Sequence, residues 1–422
     1  MPDSSKTAPT AIFAVPEPDL TPAEIIQRAI DMRPKLIERQ AETEARTYYS
    51  EETHREFQEA GFYRIMQPRR FGGYEFDAPT FFRVVMELAR GCPSTAWCFC
   101  LASAHVVQTC NLFDEEAQEL IFGPDGEFRA ASFGGPMGTI READGGYRVT
   151  ATWPYASGCP YSTHFIGHSF LADDDPDGPP AQLVFALPRS EWEMLDDWGD
   201  VMGLKGSGSH SVKTVDGFLP ANFVVEGSIV YGRTTGIQHR VHEGVLYRGR
   251  TGGLFSNQLS AVMVGAALGA LDEYERIITT RTATFAPKSL RVDLQDYQRF
   301  WGLASGKIAA ARGIIVRVAE EYMELAQRVV DTGEEFTPED DMRLLMMALE
   351  GGRLAWDAVQ SIVFRTGGSA AARDGQMLQR YWRDMCTIWS HNGPSQDEFF
   401  ATHYARVRFG MPSEFAGGGG DR

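Results

Sequence analysis

The chain has 422 residues, 43% of them hydrophobic, which is enough to bury a sizeable core with two or three domains' worth of structure and excludes a disordered chain. Its 57 acidic against 40 basic side chains give a formal charge of -17, which excludes capture of nucleic acid or of an anionic membrane surface as its main business.

Residues 1–21 read as a flexible, polar, Pro-rich arm. Thr21-Pro22 followed by Glu24 and the spaced apolar set Ile25, Ile26, Ala29, Ile30 and Met32 predicts a helix start. Helical periodicity then runs to about residue 122, broken at Gly61, at Pro68 to Gly73 and at Gly91 to Pro93, so residues 22–127 form an N-terminal helical domain. Between residues 128 and 235 the period shortens to two in Tyr147 to Trp153, His164 to Phe170, Gln182 to Leu187 and Ser211 to Val215, which predicts a β domain. Helical periods return after Ser256 and continue through Ala261 to Ile278, Leu294 to Thr332, Pro338 to Arg365 and Gly375 to Trp389, giving a C-terminal helical bundle over 236–410. Residues 411–422 close the chain as a flexible, Gly-rich tail.

The weakly charged run Thr251 to Leu271 is too polar for a lipid-spanning helix and suits a packed interior one, so no membrane span is expected. The six cysteines, at 92, 98, 100, 110, 159 and 386, lack both a disulfide framework and paired C-x-x-C halves. They read as reduced, mostly buried thiols. With no basic region followed by an apolar stretch at the start, the reading is a cytoplasmic protein. His164, His168, His210, His239 and His242 have no carboxylate at ligand spacing, so no metal site is expected. The stretch His239 to Arg250 gathers five basic-type side chains, and either an anion site or a solvated loop accounts for it.

Two islands carry the functional signal. Tyr155-Ala-Ser-Gly-Cys-Pro160 places an aromatic ring, a small hydroxyl and a glycine at the end of a strand, a composition that lets a flat ring approach the backbone. Arg380-Tyr-Trp-Arg-Asp-Met-Cys-Thr-Ile-Trp-Ser-His391 sets an Arg-Asp pair ahead of a lone histidine. Further segments accompany them in order: Pro68 to Gly73, Leu88 to Trp97 with His105, Ala131-Ser-Phe-Gly-Gly-Pro136, Trp153 to Cys159, and Gly203-Leu-Lys-Gly-Ser-Gly-Ser209. From about residue 22 to 410 this series resembles the oxygenase components of two-component flavin monooxygenases, a group that includes the 4-hydroxyphenylacetate hydroxylases and reuses the acyl-CoA dehydrogenase fold.

The resemblance implies a mainly α fold: N-terminal helices, a β-barrel-like middle domain and a C-terminal four-helix bundle, assembled as a homotetramer. It implies hydroxylation of an aromatic substrate, phenolic or an aromatic acid, by O2 and reduced FMN or FAD through a C4a-hydroperoxyflavin. Ser157 is expected beside flavin N5, stabilising that adduct. His105 is expected near the ring's reactive edge as a positive or donor group, with Trp97 and Gly158 lining the flavin. His391 and Ser132 would face the substrate, His391 accepting a phenol's proton or hydrogen bond. Ser207, Ser209, Arg248 and Arg250 are candidates for flavin phosphate or polar substrate groups. The sequence has no Gly-x-Gly-x-x-Gly nicotinamide signature, in keeping with a separate NAD(P)H-flavin reductase that supplies flavin already reduced.

Three alternatives stand beside this reading. A true acyl-CoA dehydrogenase needs a carboxylate base, and Asn392 occupies the place where many of those enzymes have one. An N- or S-oxygenase of the same fold would share every flavin-site residue. A non-catalytic scaffold would have no use for Ser157, His105 and His391.

Overall fold

A computed structural model describes residues 12–123, 125–172, 181–230, 233–234, 241–286 and 288–416. Residues 1–11 of the expected arm, residues 417–422 of the expected tail and His239 lie outside the described residues.

Helix α1 (Pro22–Arg46) starts as the sequence predicts: Thr21 and Glu24 form a reciprocal capping box and Pro22 takes the first turn. It is followed by α2 (Glu51–Glu59), α3 (Ala78–Gly91), α4 (Pro93–Leu112) and α5 (Glu115–Phe122). Every residue of α4 except Asn111 is buried. A helix apolar all round must lie in the middle of the fold, and α4 packs against α3 and α1.

Nine strands follow: β1 (Ala130–Ser132), β2 (Thr139–Ala143), β3 (Gly146–Trp153), β4 (His164–Leu171), β5 (Gln182–Pro188), β6 (Glu193–Met194), β7 (Val212–Pro220), β8 (Val224–Ser228) and β9 (Arg233–Thr234). They form one sheet in the order β6-β7-β3-β2-β4-β5-β8-β9, with β1 paired to β4 off that path. The β1–β4 and β2–β4 pairings are parallel and the others antiparallel. The short β1 ties the sheet to the helical core, because it pairs with β4 and packs against α4.

The C-terminal part holds α6 (Gly252–Thr280), α7 (Gln295–Thr332), α8 (Pro338–Ala358), α9 (Arg365–Gly367), α10 (Met377–Trp389), α11 (Asn392–Ser395) and α12 (Asp397–Arg408). Helices α6, α7, α8 and α10 pack as a bundle, with α3 and α4 against α6. Among the described residues α6 is the one helix long and apolar enough to cross a membrane, but 83% of its most apolar window is buried inside the protein. It is the bundle's core helix.

Three expectations need correction. Helix α6 starts at Gly252, ahead of the predicted return of helical period, because the Asp341 carboxylate accepts from Gly253 N at 2.7 Å and satisfies a first-turn donor. The two glycines fit α8 closely: a Cβ on Gly253 would sit 2.6 Å from that of Leu344. Residues 12–20 of the expected arm are docked, since the Ile12 and Phe13 amides both donate to Arg70 O, Phe13 bridges to Phe71 and Leu20 is buried. Residues 413–416 are likewise packed, with Phe415 against Phe399, Phe400 and His403.

Candidate active site

Where β3 ends, the chain turns sharply onto α4. Tyr155 has φ 55° and Gly158 φ 85°, and a Cβ on Gly158 would lie 2.7 Å from the carbonyl oxygen of Cys98. Only glycine tolerates both the left-handed backbone and that approach. Gly158 therefore serves the packing of the turn on α4, and the side chain it delivers is Ser157. The Trp97 indole N–H, on α4, donates to Ser157 Oγ at 3.0 Å. Ser157 Oγ is 2.7 Å from Ser209 Oγ, and Ser209 is 2.6 Å from Ser207 Oγ. Trp97 is 2% and Ser157 7% exposed. An indole N–H can only donate, so Ser157 must accept there, and its own proton is left for Ser209 or for a ligand.

The Gly203–Ser209 loop is held by α10. Asp384 Oδ1 accepts from Leu204 N at 2.7 Å, and its other oxygen accepts from Ser94 Oγ at 3.3 Å. Arg383 is paired with Glu44 on α1 and donates to Met202 O at 3.3 Å. A Cβ on Gly203 would fall 2.0 Å from Arg383 O. Burial pushes the Asp384 carboxyl up to about 6, outweighing its hydrogen bond from Leu204 and the nearby Arg383. Reading the sequence found both the Arg-Asp pair and the Gly-Ser loop but not that the first clamps the second. Their sequence separation hides the contact.

His391 follows α10, and its ring lies edge-on to Trp97 with centroids 5.3 Å apart. The residue as a whole is exposed, yet the protein packed around its imidazole desolvates it and lowers its pKa to about 4. Its Nδ1 accepts from Gly393 N at 3.2 Å, capping α11. The neutral ring therefore carries its proton on Nε2 and presents a donor there. The acceptor role expected of His391 is not available in this arrangement, because Gly393 already occupies the free lone pair.

His105 shows the reverse polarity. Its Nδ1 lies 2.6 Å from Leu101 O and 2.7 Å from Ala130 O, two carbonyls that require Nδ1 to bear the proton. Nε2 is then a bare acceptor, and it is buried without a partner. Burial pulls the pKa to about 4. The expected positive or donor group at His105 is thus a neutral acceptor. His105 sits two helical turns along α4 from Trp97, roughly 12 Å by helix rise, against Phe255 and beside β1. Ser132, half-buried, ends that strand.

Arg250 Nε lies 3.8 Å from the buried Asp341 carboxylate, and Arg248 lies near His242, whose pKa is lowered to about 4 chiefly by burial and further by Arg70 and Arg248. Among the described residues no group of three or more His, Cys, Asp or Glu side chains could hold a metal ion. The structure thus brings Trp97, Ser157, Ser207, Ser209 and His391 together and sets His105 beside the strand that Ser132 ends.

Known proteins share this arrangement of chain. Residues 28–122 match the acyl-CoA dehydrogenase N-terminal domain and residues 258–396 its C-terminal domain. The flavin-dependent monooxygenase oxygenase subunit HsaA of Rhodococcus jostii is 30% identical over 391 residues, covering 92% of this chain and 98% of that protein. The oxygenase component of the FADH2-dependent resorcinol hydroxylase of Rhizobium sp. is 28% identical, covering 78% of this chain and 81% of its own. The crystal structure of 3-HSA hydroxylase from Rhodococcus sp. RHA1 superposes with a TM-score of 0.81 at 28% identity, over 92% of this chain and 97% of that one.

Proposed function

Because this chain belongs to the flavin-dependent monooxygenase oxygenase components built on the acyl-CoA dehydrogenase fold, we propose that Trp97, Ser157 and His391 form the wall against which reduced flavin and an aromatic, hydroxyl-bearing substrate meet. The enzyme is a reduced-flavin-dependent monooxygenase. The observation that carries the site assignment is the convergence of α4, the β3 turn, the Gly203–Ser209 loop and the end of α10 on one hydrogen-bonded cluster beside an accessible histidine.

The residues fit the ring end of a flavin. Trp97 and His391 supply flat apolar surface, and Ser157 supplies a hydroxyl fixed from behind by an indole N–H and a second serine. Tyr155, 64% exposed and held edge-on to Trp198, lies at the rim. Fit at the phosphate end is poorer, since Asp341 engages Arg250 and also caps α6. When bound, reduced flavin supplies the two electrons with which O2 gives one oxygen atom to the substrate and one to water. Ser157 holds a hydrogen bond at the ring edge. His391 presents its Nε2 donor beside Trp97, and His105 Nε2 accepts the hydrogen bond of the substrate's hydroxyl. The hydrogen bond accepted by His105 raises electron density on the ring carbons beside that hydroxyl.

A separate reductase supplies the flavin, in accord with the name of the Rhizobium relative as an oxygenase component. A homotetramer is in keeping with the face of α7 that carries Gly302, Gly306 and Gly313, where an added Cβ would meet no atom within 4 Å, alongside exposed Leu303. The reduced, mostly buried thiols suit a cytoplasmic setting. The test is aerobic turnover of phenols and aromatic acids with chemically reduced FMN or FAD, followed by product analysis. A hydroxylated arene is expected, and reoxidation of bound flavin with every arene returned unchanged would overturn the reading.

A further inference from the structure

His168 has no part in the serine cluster. It lies on β4, fully buried, with its backbone carbonyl held by the Trp153 indole at 3.0 Å and its Nδ1 2.9 Å from Phe133 O. The carbonyl partner fixes the tautomer as it does for His105: Nδ1 carries the proton, and Nε2 is a bare acceptor with no partner. The two rings bracket one short segment, His105 bonding the carbonyl of Ala130 and His168 that of Phe133, with Ser132 between. They are close enough that charge on His105 disfavours charge on His168. Leaving a buried acceptor unmet costs about 1–3 kcal/mol, so two in one region mark a place that is incomplete without a donor.

We propose that His168 is a specificity-determining residue: with His105 it offers two bare imidazole acceptors flanking Ser132, so the enzyme favours aromatic substrates carrying two proton-donating groups over those carrying one. This rests on the aromatic-hydroxylase reading and adds to it the number of donors the substrate must bring. A site built to receive a donor discriminates strongly against an analogue lacking it, because the acceptor is then left buried and unmet. A monohydroxy arene satisfies one ring only.

The test compares phenol with catechol, resorcinol and hydroquinone in the wild type, His168→Asn and His168→Gln. The Asn amide N–H takes the place of Nδ1–H on Phe133 O and removes the second acceptor. The Gln amide reaches toward the Nε2 position. The wild type is expected to prefer at least one dihydroxy arene in kcat/KM, and His168→Asn to lose about tenfold of that preference, as for one hydrogen bond. The loss should fall on the dihydroxy arenes more than on phenol, and His168→Gln should recover part of the preference. An unchanged preference, or an equal loss for phenol and dihydroxy arenes with a lowered Tm, would mean that Nε2 holds a buried water only and would overturn the proposal. If the wild type hydroxylates no arene, the aromatic-hydroxylase reading fails on its own account. The rise in Tm caused by dihydroxy arenes then still reads His168: its loss in His168→Asn supports the acceptor, and its absence in the wild type contradicts it.

Discussion

At the scale of single residues, function turns on which atom of a side chain is left unused. Ser157 accepts from Trp97 and spends its other valence on Ser209 or a ligand. Ser157→Ala strips the buried indole N–H of its acceptor, which costs about 1–3 kcal/mol. We expect a Tm lower by several degrees, flavin affinity within about threefold, and a larger share of reducing equivalents lost as hydrogen peroxide, measured by peroxide assay against product. His391→Ala removes both the α11 cap and the Nε2 donor. His391→Asn separates them, because Asn is a good helix cap but cannot reproduce the imidazole's far donor. The expected result is near-native Tm with hydroxylation down tenfold or more; native activity in His391→Asn would reduce the histidine to a cap. The sequence makes these residue types legible at these places, but not their polarity. The resemblance gives His105 a positive or donor role and His391 an acceptor role, whereas in this arrangement Nε2 of His105 is left without a partner and Nδ1 of His391 is taken by Gly393, because a tautomer depends on carbonyls and amides supplied by other parts of the fold.

At the scale of elements, the serine loop is only as well placed as α10 allows. Asp384 is the link, buried and accepting from Leu204 N and Ser94 Oγ. Asp384→Ala leaves both donors unmet and should lower stability by roughly 2–4 kcal/mol while weakening reduced-flavin binding. Asp384→Asn keeps an acceptor for Leu204 N and removes the cost of burying charge, so its Tm at pH 7 should match or exceed the wild type. Equal losses in the two variants would contradict the clamp. Gly203→Ala should fail for a different reason, a Cβ driven into the Arg383 carbonyl. Much of the architecture is legible here: the Thr21-Pro22 helix start, the shift to period two near residue 128 and the return of helical period all mark real elements. What local pattern does not encode is the docking of residues 12–20 and 413–416, or the start of α6 at Gly252. Each depends on a partner outside the local pattern, Arg70, the first turns of α12 or Asp341.

At the scale of the whole molecule, buried histidines set the response to acid. Burial lowers the pKa of His105, His164 and His168 from 6.5 to about 4. A group whose folded pKa is depressed resists protonation in the folded state, so the unfolded chain gains protons first as the pH falls. Stability is then full above about pH 6.5 and lost progressively toward pH 4, each ring withholding on the order of 3 kcal/mol at the low end. Asp384 acts in the opposite sense, its raised folded pKa costing stability at neutral pH and returning it as the pH falls from about 6. Three rings outweigh one carboxyl. The Tm should therefore fall as pH drops from about 7.5 to about 5, with a shallower slope in His168→Asn, and a flat profile in the wild type would contradict the neutral, buried state of these rings.

The central claim is that Ser157, Trp97 and His391 wall a site where reduced flavin meets oxygen under protein control. Stopped-flow mixing of the purified protein and chemically reduced FMN or FAD with oxygenated buffer, without substrate, tests it most directly. Protein control predicts a delayed, two-phase return of oxidised-flavin absorbance, with the delay shortened in Ser157→Ala. A single phase at the rate of free flavin, identical in wild type and variant, would contradict it.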